Sequence, residues 1–97
     1  MAMYNPPHPG EFINHVYLEP NGIGGHELAR KLDVSAFTVG ELLNGSNRVT
    51  PEMALRLAKT LGRSPESWLA MQDAHDLWVA EKRVDLRRVA RLEFATA

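Results

Sequence analysis

The sequence predicts an all-α fold of five helices, on three observations. Apolar residues recur at helical spacing in five separate segments, and no convincing strand is read. Two segments open on Thr50-Pro51-Glu52 and Ser64-Pro65-Glu66, each joining a hydroxyl N-cap, a proline at the first helical position and an acid near the positive end of the helix dipole. Stop signals fall between the segments, at Pro20, Asn44-Gly45 and Gly62.

Residues 1–8 carry prolines and few apolar groups, and are expected to form a flexible arm without regular structure. Pro9-Gly10-Glu11 then starts a helix whose predicted apolar face is Phe12, Ile13, Val16 and Tyr17, ending before Pro20. Asn21 to Gly25 reads as a loop in which Ile23 caps the core. In the stretch from Gly25 to Asn44, Leu28, Ala29 and Leu32 make one stripe, and Val39, Leu42 and Leu43 make a second. Between them Asp33-Val34-Ser35 supplies a break, an apolar plug and an N-cap, and Asn44-Gly45 ends the second helix through left-handed backbone.

Two helices of about eight residues joined by a turn of roughly three to four are the spacing of a helix-turn-helix, whose second helix enters the DNA major groove. A plain helical hairpin in another bundle shares that spacing. The small Ala29 suits a close helix crossing, and Val34 fills the same corner. After a polar loop, Ser46 to Val49, a fourth helix turns Met53, Ala54, Leu57, Ala58 and Leu61 inward, and a fifth runs from Pro65 to about Lys82. The helical domain is therefore placed at 9–82 and a C-terminal tail at 83–97.

Length and composition bound the function. With 97 residues there is room for one core, and the absence of cysteine removes disulfide frameworks and thiolate zinc sites. No apolar run approaches a membrane span and the N-terminus lacks a signal-peptide pattern, so a cytoplasmic protein without membrane contact is expected. His26-Glu27-Leu28-Ala29-Arg30 starts like the zinc-protease pattern but ends in arginine, leaving one ligand of the helical pair. Neither a phosphate loop nor a nucleophile elbow occurs, so no metal, cofactor or catalytic role is expected.

The expected DNA surface is Ser35, Ala36, Phe37, Thr38 and Glu41 on the second helix of the pair, flanked by Asn44, Asn47 and Arg48, with His26 near a phosphate at the start of the first helix. Arg48 reads as a phosphate contact, and Arg30 and Lys31 add charge on the first helix. Net charge is −1, and up to Arg63 six basic residues balance six acidic ones, which at first counts against a polyanionic partner. The basic cluster Lys82, Arg83, Arg87, Arg88 and Arg91 is either a solvated face or a second phosphate or protein contact.

On the fifth helix Trp68, Leu69, Met71, Leu77, Trp78 and Val79 cover more than one face, wider than a surface helix needs. Trp68 is assigned to the core, and Met71, Leu77 and Trp78 to a homodimer interface, since two half-sites of a palindromic operator require two copies. Folding back of Val84 to Val89 over the same patch is the intramolecular alternative.

The runs Thr50-Pro51-Glu52-Met53-Ala54-Leu55-Arg56-Leu57-Ala58, Ser64-Pro65-Glu66-Ser67-Trp68-Leu69 and Asp76-Leu77-Trp78 resemble the HigA-type antitoxins of bacterial toxin-antitoxin pairs. So do His8-Pro9-Gly10-Glu11-Phe12, Leu18-Glu19-Pro20 and Glu27-Leu28-Ala29, so that the similarity covers about His8 to Arg91. The resemblance implies a phage-repressor-like five-helix domain that is dimeric, binds double-stranded operator DNA, represses its own operon and binds a HigB-type, RNA-cleaving toxin. Where similar members often carry a polar or basic pair after the serine, this chain has Ala36-Phe37, which removes bidentate base contacts there and leaves thymine-methyl contact and DNA shape. Two functions stay open: a DNA-binding repressor and antitoxin, or a helical module that neutralises a partner without specific DNA binding.

Overall fold

The computed structural model describes residues 5–95. Its helices are α1 (Pro9–Ile13, prolonged by one π-helical turn, Asn14–Leu18), α2 (Gly25–Leu32), α3 (Ala36–Leu43), α4 (Pro51–Leu61) and α5 (Pro65–Arg83), with no strand among the described residues. The three hydroxyl starts act as caps: Ser35, Thr50 and Ser64 accept the backbone N–H of Thr38, Met53 and Ser67 at 3.0, 3.2 and 3.0 Å. A fourth cap is less legible in the sequence. His8 Nδ1 accepts the Gly10 N–H at 2.9 Å and so opens α1.

One buried cluster unites Ile13, Leu18, Leu28, Ala29, Leu32, Val39, Leu42, Val49, Ala54, Leu57 and Trp68. Val16, expected on the inner face of α1, is instead 45% exposed, and Leu18 is buried in its place. The cause is the π turn: Glu19 N–H bonds the Asn14 carbonyl five residues back at 2.9 Å, and the widened turn rotates Leu18 onto the side of Ile13. The α3 stop falls at Asn44-Gly45 as expected, with the left-handed backbone on the glycine. Asn44 keeps φ −90°, while Gly45 takes φ +85°. At the end of α2 it is Asp33, at φ +61°, that adopts the left-handed conformation and turns the chain towards Ser35.

α1 crosses α3 at the closest possible range. A Cβ at Gly10 would collide with the backbone carbonyl of Leu42, so only glycine admits this crossing. Phe12, Tyr17 and Trp68 pack edge-on or tilted at 6.0 to 6.2 Å between centroids, joining α1 to α5. Trp68 Nε1–H donates to the Gly62 carbonyl at 2.9 Å and fixes the α4–α5 corner. Arg56 closes the other end of the pair by donating to the Leu32 and Asp33 carbonyls at 2.8 and 3.2 Å.

Residues 5–8 lack regular structure but pack against α5: Pro6 is buried, and its carbonyl accepts from His75 Nδ1 at 2.9 Å. Residues 1–4 of the expected arm, and 96–97 of the expected tail, lie outside the described residues. From Val84 the tail runs away from the helices, with Val84, Leu86 and Val89 at 50, 64 and 69% exposure. It does not fold back over α5, and Leu77 stays 63% exposed.

Candidate nucleic-acid interface

The second helix of the pair is short and held at both ends. Ser35 Oγ accepts the Thr38 N–H and lies 2.8 Å from Thr38 Oγ1, so the two hydroxyls lock the first turn of α3. Beyond Leu43 the chain wraps the helix end, with Ser46 and Asn47 N–H both donating to the Glu41 carbonyl at 2.9 and 3.1 Å. Asn44 Oδ1 accepts the Ser46 N–H at 2.9 Å, and on this exposed residue the amide NH₂ is left as a donor. Val39 and Leu42 anchor the opposite face in the core.

This anchoring leaves Ala36, Phe37, Gly40 and Asn44 on the exposed side, with Thr38 and Glu41 half-buried at its edges. Phe37 is 75% exposed, which is unusual for a phenyl on a helix held this firmly. Gly40 was not read from the sequence as part of the site. A Cβ built there meets nothing within 4 Å, so no packing demand accounts for a glycine in mid-helix, where it costs about 1 kcal/mol against alanine. Its signal was available: a glycine inside a capped helix, one turn from an exposed phenylalanine.

Beside α3 lies a hollow of about 320 Å³ lined by Thr38, Leu42, Asn47, Arg48, Thr50 and Met53. Thr50 is the second residue missed by sequence reading, since its role as an N-cap hid its place at the start of α4 beside Thr38. His26 is exposed in the first turn of α2. Lys31 lines a different groove, between α2 and α4, with Leu55, Arg56 and Lys59.

Arg48 has a different setting from the free phosphate ligand expected of it. Its Nε and Nη2 donate to Asp76 Oδ2 at 3.2 and 2.6 Å, and Nη2 lies 3.5 Å from Asp73 Oδ1. The same strap continues inward: Gln72 Oε1 accepts the Val49 N–H at 2.7 Å, and Gln72 Nε2 donates to Asp76 Oδ1 at 3.0 Å. Gln72 is buried and fully satisfied, so it seats the loop on α5. Burial alone would raise the Asp76 carboxyl, but the hydrogen bonds from Arg48 and Gln72 outweigh it and hold Asp76 below the usual carboxylate range. The Arg48 guanidinium is raised in turn, chiefly by its bond to Asp76. The Arg48 guanidinium is thus already paired with carboxylates of α5.

On α5, Met71 is half-buried and packs on the core, Leu77 is exposed, and Trp78 is half-buried with Lys82 Nζ 4.2 Å over its ring. The outward stripe that includes Leu77 also holds the exposed Ala70 and Ala74 at helical spacing, with Trp78 and Met71 along its border. No group of residues able to hold a metal ion occurs among the described residues, and no described helix is long and apolar enough to cross a membrane.

A buried small residue at the α2–α3 crossing, a serine-capped second helix and an exposed face on that helix define a helix-turn-helix protein. Comparison with known proteins narrows this. The helix-turn-helix family pattern matches residues 17–68. The chain is 41% identical over 92 residues to the HTH-type transcriptional regulator YddM of Escherichia coli (strain K12), covering 95% of this chain and 97% of that one. The solved structure of antitoxin GraA superposes with a TM-score of 0.86 at 37% identity, over 92% of this chain and 99% of that one. Antitoxin HigA of Pseudomonas aeruginosa, solved with the higBA promoter, gives a TM-score of 0.78 at 30% identity, over 90% and 99% of the two chains. The chain belongs to the helix-turn-helix family of transcriptional regulators, among its HigA-type antitoxin members.

Proposed function

We propose that this protein binds operator DNA through the exposed face of α3 as a homodimer, represses its own operon, and neutralises a HigB-type toxin in the cytoplasm, without catalytic activity of its own. The observation that carries the reading is the solvent side of α3, where a three-quarters exposed Phe37 adjoins the bare backbone of Gly40 on a helix capped at both ends. An unburied phenyl beside an open stretch of helix is suited to thymine methyl groups and close approach to a groove. The solved complex of the Pseudomonas HigA relative with its promoter supports this use of the fold. Dimerisation is supported by Leu77, Ala74 and Ala70, a stripe that the tail leaves open.

Mobility shift of the chain's own promoter fragment tests the proposal, with Phe37→Ala and Trp78→Glu as the informative variants. Phe37→Ala is expected to lose affinity mainly at one thymine-containing step, and Trp78→Glu to sediment as a folded monomer with much weaker binding. Wild-type protein that is monomeric at micromolar concentration, or that ignores its promoter, would refute it. The neutral body and the engaged Arg48 favour the second reading, a module that neutralises its partner without DNA, and failure of the shift with toxin binding intact would select it.

A further inference from the structure

His8 touches three elements at once. Its Nδ1 accepts the Gly10 N–H at 2.9 Å at the start of α1, and its ring stands edge-on to His75 of α5 with centroids 5.3 Å apart. A Cβ at Gly45, just past α3, would lie 3.9 Å from its Cγ, so the same ring also rests on the end of the second helix of the pair. The three elements wall a hollow of about 250 Å³ whose lining includes His8, Gly45, His75 and Asp76. Hydrogen bonding fixes both tautomers. His75 Nδ1 lies 2.9 Å from the Pro6 carbonyl, which only accepts, so that nitrogen carries the proton. His8 Nδ1 accepts from a backbone N–H and carries none, so the neutral His8 ring is protonated on Nε2.

Behind this joint there is no slack. Gly10, whose N–H the imidazole caps, lies so close to the Leu42 carbonyl that a Cβ has no room, and a movement of the cap is therefore passed to the last turn of α3. We propose that His8 is a positioning residue for operator binding: as a neutral ring it holds α1, the end of α3 and α5 together, and on taking up a proton at Nδ1 it releases the α3 end and residues 44–48. This rests on the operator binding proposed above and adds a proton switch to it. A proton on Nδ1 replaces the lone pair facing the Gly10 N–H with a second N–H. The hydrogen bond becomes a clash of two donors, and α1 loses its N-cap.

The surroundings decide the pH range. His75 and Asp76 face the ring from α5, Glu11 from α1 and the Asn47 backbone from the loop, with Arg48 and Arg83 lining the same hollow. Burial acts most strongly and disfavours the charged ring, and His75 acts in the same sense. The Asn47 backbone and the two carboxylates oppose them and are outweighed, so His8 charges only below its ordinary value of about 6.5. Operator binding is thus supported at neutral pH and weakened by acid. Asp76 ties the device to Arg48, because its carboxylate also holds that guanidinium at 2.6 Å.

The test compares wild type with His8→Asn, which keeps a capping acceptor and cannot take up the proton. Operator affinity of the full-length protein is measured by anisotropy at fixed salt, between about pH 7.5 and about pH 5, with circular dichroism confirming that both proteins stay folded. Wild type is expected to fall relative to His8→Asn by up to about tenfold for each pH unit below the folded His8 value. Referring each affinity to the variant removes the titration of the other three histidines. His8→Ala, which offers no acceptor, should bind at neutral pH as weakly as the acidified wild type. In the DNA-free protein the amide resonances of residues 45–48 should shift with the midpoint of the His8 ring and lose that midpoint in His8→Asn. Amides that ignore the His8 titration, parallel affinity profiles for wild type and His8→Asn, or a folded His8→Ala that binds like wild type would each overturn the proposal. Absence of operator binding at every pH, with the amides still following His8, would overturn the operator-binding reading instead and leave the coupling standing.

Discussion

Gly40→Ala separates what α3 needs to fold from what it needs to bind. Nothing lies within 4 Å of a Cβ at this position, and its backbone shows none of the positive φ that would strain an alanine. The substitution therefore gains the full helix-propensity difference, about 0.8–1.0 kcal/mol, without a packing cost. For a domain of this size that corresponds to a rise in Tm of roughly 4–8 °C, read by circular dichroism on the DNA-free protein. Binding should move the other way. A methyl group on the side where the backbone is to approach the groove holds the helix off, and a loss of about tenfold, or 1.4 kcal/mol, is expected by fluorescence anisotropy at fixed salt. A variant that is more stable and binds operator as tightly as wild type would refute the assignment of this face. One that is less stable would show that Gly40 carries a structural demand the geometry does not contain.

Asp76→Asn should release Arg48 towards phosphate, tightening DNA binding and steepening the salt dependence by up to about one unit; an unchanged slope would mean Arg48 does not reach the backbone. Arg48→Ala should weaken all sequences alike, and a change in sequence preference instead would contradict its role as a phosphate contact. His8 is held below its ordinary value by burial first and by the neighbouring His75, against opposing pulls from the Asn47 backbone and the carboxylates of Asp76 and Glu11. A histidine depressed in the folded state contributes stability that is present above its unfolded value of about 6.5 and is lost as pH falls from there through the folded value. Urea midpoints should accordingly drop below pH 6.5, and His8→Asn, which keeps a capping acceptor, should flatten that dependence. Gly10→Ala should cost roughly 3 kcal/mol or more, since the Leu42 carbonyl it meets is backbone and cannot rotate away; a melt within 1 kcal/mol of wild type would show that α1 can lift off α3.

The helices were legible because their signals are local. Ser35, Thr50 and Ser64 each announce a start within four residues, and the stripes of α2, α3 and α4 need only the helical period. The inner face of α1 was misread because a π turn changes the period, and nothing in Phe12 to Leu18 marks where the extra residue goes. The exposed face of α3 followed from its spacing, including Ala36 and Phe37. Arg48 illustrates the limit. Its partners Asp73 and Asp76 lie 25 and 28 residues away in the chain, and the contact exists only because Gln72 seats the loop on α5. Long-range pairing of a charge is set by tertiary geometry, so a basic residue beside a recognition helix was read as free.

That pairing bears on how a nearly neutral protein could hold a polyanion. Six basic and six acidic residues up to Arg63 leave the body without net charge, and the arginine nearest the recognition helix is shared with α5. Counterion release scales with the number of phosphates neutralised, so each protomer has little of this sequence-independent attraction to draw on. A chain so built gains less from sliding on arbitrary DNA than a basic repressor does, and a larger share of its operator affinity must come from the α3 face, from shape, and from two faces acting together. In the homodimer proposed above, dimerisation then governs occupancy. Binding through one face is weak, while a second face held at the right spacing acts at high effective concentration. On the α5 dimer proposed above, whatever removes that stripe from the second copy would by this route also release the operator.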